Sequence, residues 1–96
     1  MIIGNKLREL REQKGLLLRQ VAAELEVDTA YISKMERGEK NIKREFIVKL
    51  ANLYNANIDD LLTIWLADQI ISVIADKKDL ANNALNIVLK TLNNKQ

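Results

Sequence analysis

The chain has 96 residues, enough for one small domain or for a minimal domain with an appended helical hairpin. It contains no cysteine and no histidine, which excludes disulfides and thiolate metal sites and removes the commonest general base. The absence of proline, with only three glycines, favours an all-α fold.

Charge is distributed unevenly along the chain, although the net charge is only +2. Residues 1–44 carry ten Lys and Arg against seven Asp and Glu, whereas residues 45–96 carry five against six. The N-terminus has no signal-peptide pattern, and no apolar run approaches the roughly 18 residues of a membrane-spanning helix. We therefore expect a cytoplasmic protein without membrane association.

The first predicted helix begins near Gly4 or Asn5 and ends at Gly15, which can take a positive φ. Two short amphipathic segments follow between Leu16 and Gly38. Their apolar positions are Leu16, Val21, Ala22 and Leu25, then Tyr31, Ile32 and Met35. Asp28 stands where it can cap the second segment. Two helices joined by so short a turn must cross steeply, which predicts a helix-turn-helix whose second helix can enter the major groove of DNA.

The residues from about Ile3 to Gly38 resemble the lambda-repressor-like helix-turn-helix family, which includes Cro and the phage repressors and is also called the xenobiotic response element family. The resemblance is carried by the entry IGNKLRELREQKGL, the helix VAAELEV and the signature YISKMERG. It weakens after Asn41. It implies a five-helix DNA-binding domain over residues 1–62 that binds double-stranded DNA.

The resemblance also implies roles for individual side chains. Carried over position by position, Thr29, Ala30 and Lys34 in the third predicted helix (about Thr29 to Arg37) match the base-reading places of the family. Arg11 would form an ion pair with Glu36 and fix the first helix to the end of the third. Contacts to the DNA backbone are expected from the surrounding polar residues Arg19, Gln20, Tyr31, Ser33, Arg37, Asn41, Lys43 and Arg44. The alternatives are a solvated polar face and an unpaired Arg11.

Three residues depart from the family pattern. Leu17 and Leu18 stand where relatives have a capping Ser or Thr followed by a phosphate-binding Gln, and we expect them to pack against the C-terminal segment. Glu26 occupies a place where glycine is common. Because a positive φ costs a residue with a Cβ about 1 kcal/mol, either Glu26 is strained or the turn differs.

The second half of the chain predicts a fourth helix from about Glu45 to Tyr54 and a fifth over 57–62, capped by Asn57. A very apolar helix over 61–75 and a last helix capped by Asp79 would then form a two-helix hairpin over residues 63–96. The hairpin has more apolar surface than a small head can cover, which predicts a homodimer. Its expected interface consists of Trp65, Leu66, Ile70, Val73, Ile74, Leu85, Val88 and Leu92. A monomer whose hairpin folds back on its own core is the alternative.

These features together predict a DNA-binding transcriptional regulator, a repressor rather than an activator, that binds a palindromic operator as a homodimer. The alternative is an antitoxin or another interaction module whose hairpin binds a different protein. An enzyme is not expected, because the carboxylate pairs Asp59–Asp60 and Asp76/Asp79 are better explained as helix caps. No cofactor or metal is expected.

Overall fold

A computed structural model describes residues 1–94, which form six α-helices and no β-strand. The helices are α1 (Ile2–Gln13), α2 (Leu18–Leu25), α3 (Thr29–Glu36), α4 (Arg44–Leu53), α5 (Ile58–Ile74) and α6 (Lys78–Asn93). The all-α fold is confirmed, with α2 and α3 in the place of the helix-turn-helix. We call α1 to α4 with the first half of α5 the head, and α6 with the second half of α5 the hairpin.

The core of the head is aliphatic, as the composition requires. It includes Tyr54 as its one fully buried aromatic side chain, and burial raises the pKa of the Tyr54 phenol. The other large side chains with 2% or less of their surface exposed are Ile3, Leu7, Val21, Ile32, Met35, Ile42, Ile47, Leu50 and Leu61. They come from α1 to α5 and from the loop before α4, so α5 is part of the head's core.

Helix α1 begins at Ile2, earlier than the sequence pattern predicts, and the reason lies in α5. Asp68 Oδ1 accepts a hydrogen bond from the backbone N–H of Ile2 at 3.1 Å, and Oδ2 accepts one from the N–H of Ile3 at 2.8 Å. The first N–H groups of a helix have no partner within it, so a carboxylate there satisfies them and favours the helix dipole. Asp68 is buried by this contact.

Helix α5 is continuous from Ile58 to Ile74, so the predicted fifth helix and the first helix of the hairpin are one element. Asn57 caps it as expected, with its side chain accepting from the Asp60 N–H at 2.9 Å. A division of the chain near residue 62 would therefore fall inside a helix. Because α5 contains neither glycine nor proline, nothing in its sequence interrupts it there.

Two other predicted caps are not formed. Asp28 is at the N-cap of α3, but its side chain accepts no hydrogen bond from the helix, and the Asp28 carbonyl accepts from the Tyr31 N–H instead. Helix α6 begins at Lys78 after the N-cap residue Lys77, so Asp79 lies inside its first turn. There its charge can still interact favourably with the helix dipole.

The turns between α1, α2 and α3 use positive φ twice. Gly15 has φ +67°, as predicted for a glycine that ends a helix. Glu26 has φ 57° and ψ 44°, so the turn between α2 and α3 keeps the left-handed conformation without glycine. Of the two possibilities for Glu26, the strained backbone is the one observed, at a cost of about 1 kcal/mol.

Helix α6 has no buried residue over Lys78–Asn93. Between it and the end of α5 lies an open groove of about 300 Å³. The groove is lined only by aliphatic side chains, namely Ile70, Val73, Ile74, Ala84, Leu85 and Val88. The hairpin therefore presents a continuous apolar surface to solvent.

We expect Asp68→Ala to lower the free energy of unfolding by about 1–3 kcal/mol, because two N–H groups at the start of α1 lose their acceptor. Urea denaturation of the purified variant measures this loss. Asp76→Ala removes an exposed carboxylate of the hairpin and should change stability by less than about 0.5 kcal/mol. Equal stabilities of the two variants would contradict the role assigned to Asp68.

Candidate nucleic-acid interface

Helix α3 has one buried face and one exposed face. Ile32 and Met35 are inside the core, with 2% and 1% of their surface exposed. Thr29, Ala30 and Lys34 are exposed on the other side. The three predicted base-reading side chains are therefore accessible together on one surface.

Arg11 and Glu36 form the ion pair that the resemblance implies. Arg11 Nε lies 2.8 Å from Glu36 Oε2 and Nη2 lies 3.0 Å from Oε1, which is a two-point contact. Arg11 Nη1 also donates to the carbonyl of Leu16 at 2.9 Å. Hydrogen bonding to Glu36 raises the pKa of the Arg11 guanidinium. The pair joins α1, the following loop and the last turn of α3.

Gly4 brings α1 against the end of α3 at backbone distance. A Cβ at this position would lie 2.7 Å from the carbonyl oxygens of both Met35 and Glu36. Because these atoms belong to the backbone of another helix, no side-chain movement could relieve the contact. Gly4 therefore permits the close packing that the Arg11–Glu36 pair then fixes.

The start of α2 shows how the chain replaces the usual cap. Gln20 Oε1 accepts a hydrogen bond from the Leu17 N–H at 2.7 Å. This is one half of a capping box; the other half is missing because leucine has no side-chain acceptor. Gln20 and Arg19 are exposed, as a role in backbone contact requires.

The expectation that Leu17 and Leu18 pack against the C-terminal segment is wrong. Leu17 is 47% exposed. Leu18 is half-buried against the core and lines a cleft with residues of α1 and α3, among them Arg11 and Ser33. Of the two leucines at the start of α2, only Leu18 is partly covered, and residues of the head cover it.

Ser33 and Arg37, two of the predicted backbone contacts, are engaged with each other. Arg37 Nη1 donates to Ser33 Oγ, and Arg37 Nε donates to Glu39 Oε2 at 2.6 Å. The hydrogen bond from Arg37 lowers the pKa of the Glu39 carboxyl. Arg37 and Glu39 are each about half exposed, at 52% of their side-chain surface.

The remaining predicted backbone contacts lie around the end of α3 and the start of α4. Asn41, Lys43 and Arg44 are exposed in or next to the loop that joins the two helices. Tyr31 is half-buried, and its ring meets the edge of Phe46 at a centroid distance of 5.9 Å. This contact packs α3 against α4.

A side chain of α5 forms a hydrogen bond with the loop before α4. The side chain of Ile42, in this loop, is buried in the core. The indole Nε1 of Trp65 donates to the Ile42 carbonyl at 2.7 Å. Trp65, expected at a dimer interface, is thus half-buried and makes a contact within the chain.

The other seven expected interface residues belong to the hairpin. Ile74 and Leu85 are half-buried, and five are exposed: Leu66, Ile70, Val73, Val88 and Leu92. Four further apolar side chains of α5 and α6, which are not among the expected interface residues, are 46% to 66% exposed: Ile71, Leu80, Ile87 and Leu89.

Three residues that position this surface were not identified from the sequence. Gly4 and Asp68 could each have been noticed in the sequence. A glycine inside a helix lowers stability, and so does a carboxylate in an apolar helix that has no hydrogen-bond partner, so each residue indicates a specific contact. Glu39 carried no such signal, because glutamates in polar loops are common. Over residues 1–94 no group of acidic side chains could hold a metal ion, and no helix is long and apolar enough to cross a membrane.

Comparisons with known proteins agree with this arrangement. A family model described as a helix-turn-helix domain matches residues 2–63. The HTH-type transcriptional regulator DdrOP3 of Deinococcus deserti is 37% identical over 62 residues, which are 65% of this chain and 48% of the relative. The chain therefore spans about half the length of that regulator.

Two further proteins are similar over more of the chain. The HTH-type transcriptional regulator ImmR of Bacillus subtilis is 28% identical over 92 residues, covering 96% of this chain and 68% of the relative. The crystal structure of the clp gene regulator ClgR from Corynebacterium glutamicum superposes with a TM-score of 0.60 at 30% identity, covering 83% of each chain. The similarity therefore extends into the hairpin.

We expect Arg11→Ala to lower the free energy of unfolding by about 3–5 kcal/mol, because Glu36 keeps a buried charge without its partner. Arg8→Ala is the matched control on the same helix, since Arg8 forms an exposed pair with Glu12 at 3.7 Å. It should cost less than about 0.5 kcal/mol. Chemical denaturation of both variants gives the comparison, and a loss for Arg11→Ala as small as that for Arg8→Ala would contradict the role of the pair.

Proposed function

Because the chain belongs to the helix-turn-helix domain family, we propose that it is a sequence-specific, DNA-binding transcriptional regulator. We further propose that it binds a palindromic operator as a homodimer and acts as a repressor. The observation that carries the proposal is the exposed face of α3, fixed to α1 by Glu36 and Gly4 and free of core contacts at Thr29, Ala30 and Lys34. Repression needs no further surface, because occupying a promoter is sufficient.

Each base-reading side chain has a distinct chemistry for this task. Thr29 can exchange a hydrogen bond with a base edge or contact the methyl group of thymine, and Ala30 can contact the same methyl group. Lys34 can donate to O6 and N7 of guanine. These contacts lie in the major groove, where each base pair presents a different pattern of donors and acceptors.

Basic and amide side chains around α3 are suited to hold the phosphates on either side of the groove. Arg19 and Gln20 lie at the start of α2, whereas Asn41, Lys43 and Arg44 lie beyond the end of α3, and all five are exposed. Phosphate contacts fix the register of the protein on the duplex without reading its sequence. Affinity should accordingly fall as salt increases.

A second copy of the chain is the partner that we propose for the hairpin. Most of a helix's stability in a protein comes from packing of its apolar face, and α6 buries no residue fully within the chain, so a partner that covers this face would stabilise it. The polar side of α6 carries mainly asparagines, Asn82, Asn83, Asn86 and Asn93, so a two-fold contact brings few like charges together. The tip, Asp76-Lys77-Lys78-Asp79, has no net charge.

A dimer of this kind would present two copies of α3 to one duplex. With two-fold symmetry the half-sites would be centred about one helical turn apart, roughly 34 Å, so that both helices enter the major groove on the same side. Selection of bound DNA from a random pool gives the operator and its symmetry in one experiment. Recovery of no common sequence would contradict sequence-specific binding.

We expect Lys34→Ala to cost about 1–3 kcal/mol of binding free energy at the selected operator and to relax the preference at one base pair. Arg44→Ala is the control: it should weaken binding to all sequences alike and reduce the salt slope by about one. Titrations across single-base operator variants measure both effects. If Lys34→Ala leaves discrimination unchanged at every position, Lys34 is not a base-reading residue.

We expect Val88→Asp to dissociate the dimer, because it places a charge in the apolar groove of the hairpin. Asn86→Asp adds the same charge to the polar side of α6 and should leave the dimer intact. Sedimentation of both variants, with circular dichroism to confirm that they remain helical, tests this. A wild-type chain that sediments as a monomer would contradict the dimer and favour a different protein as the partner of the hairpin.

A further inference from the structure

One of the arginines on the proposed DNA-binding surface forms an ion pair with a carboxylate of the same chain. Arg37 follows the last residue of α3, and its Nε and Nη2 face the two carboxylate oxygens of Glu39 at 2.6 and 3.4 Å. Its third nitrogen donates to Ser33 Oγ. All the side-chain nitrogens of Arg37 are therefore engaged within the chain when no DNA is bound.

This arrangement occupies the Nε–Nη2 edge of Arg37, one of the two edges through which a guanidinium can bind a phosphate at two points. A guanidinium binds a carboxylate and a phosphate with the same two-point geometry, and Glu39 takes the Nε–Nη2 edge while Ser33 takes one hydrogen of Nη1. Of the five N–H donors of Arg37, only one hydrogen on each Nη is left for a phosphate. Ser33, the neighbouring candidate for a phosphate contact, is engaged with Arg37 through its hydroxyl. Glu39 also adds a negative charge to a surface that is otherwise basic through Lys34, Lys40 and Lys43.

We propose that Glu39 is an intramolecular competitor of the DNA backbone: it withholds Arg37 from phosphate and so lowers the affinity of the protein for DNA of any sequence. This inference rests on the proposed function. The effect is graded, because both side chains are half exposed and an exposed ion pair opens readily. It belongs to the sequence-independent part of binding, since phosphate contacts do not distinguish base pairs.

The first test compares the wild type with Glu39→Gln on a random-sequence duplex between 50 and 200 mM salt. Release of Arg37 should add one phosphate contact, so the variant should bind several-fold more tightly at low salt, with a salt slope steeper by about 0.9. Its advantage should then shrink by about 3.5-fold over this range. Glu9→Gln, an equal charge change at an exposed position on α1, controls for overall charge.

The second test repeats Glu39→Gln in an Arg37→Ala background. Lys34 also feels the charge of Glu39, and its field contributes to the lowered pKa of that carboxyl. A gain that acts through Arg37 must disappear in this background, whereas a gain that acts through Lys34 or through overall charge must remain.

The outcomes separate this inference from the function on which it rests. If the wild type binds DNA and Glu39→Gln behaves like Glu9→Gln, or keeps its full gain without Arg37, the competitor role is wrong and the proposed function stands. If no variant binds any duplex at 50 mM salt, both are wrong. Because the ion pair is exposed, the urea midpoint of Glu39→Gln should match that of the wild type, which excludes misfolding as the cause.

Discussion

The position of α3 depends on the contacts that converge on Glu36. Its carboxylate holds Arg11 of α1 through two hydrogen bonds, and its carbonyl lies against Gly4, where no side chain would fit. A buried ion pair adds little stability compared with apolar packing, but its geometry is strict. The pair therefore acts mainly by orienting a short helix whose opposite face must stay free of core contacts.

Asp68 extends the same head to α5. By accepting from the first two N–H groups of α1, it connects the start of the chain to a helix that leaves the core beyond this residue. Trp65, one turn earlier, holds the loop that follows α3 through the Ile42 carbonyl. The two side chains connect α5 to the start of α1 and to the loop that follows α3.

The sequence predicted the structure correctly where a local pattern of residues is compatible with only one arrangement of the backbone. Periodicity and a short turn identified α2 and α3, and the family resemblance identified the Arg11–Glu36 pair, which the structure confirms. It was less informative where a residue's partner lies far along the chain. The contact of Asp68 with α1 could not be predicted, because the N–H groups that donate to it are 65 and 66 residues away in the chain. Leu18 was assigned to the wrong surface because the residues that cover it lie on the neighbouring helices α1 and α3. Glu39 could not be singled out, since its importance follows from the direction in which Arg37 extends.

The continuity of α5 affects how the DNA binding of such a protein could change during evolution. A helix of 17 residues is a rod of about 25 Å, and here its first half is embedded in the head while its second half forms one wall of the apolar groove. Because α5 is unbroken between the two, a change in how two hairpins meet in the proposed homodimer would rotate both heads. Substitutions far from DNA could then alter the tolerated operator spacing while leaving every base-contacting side chain untouched.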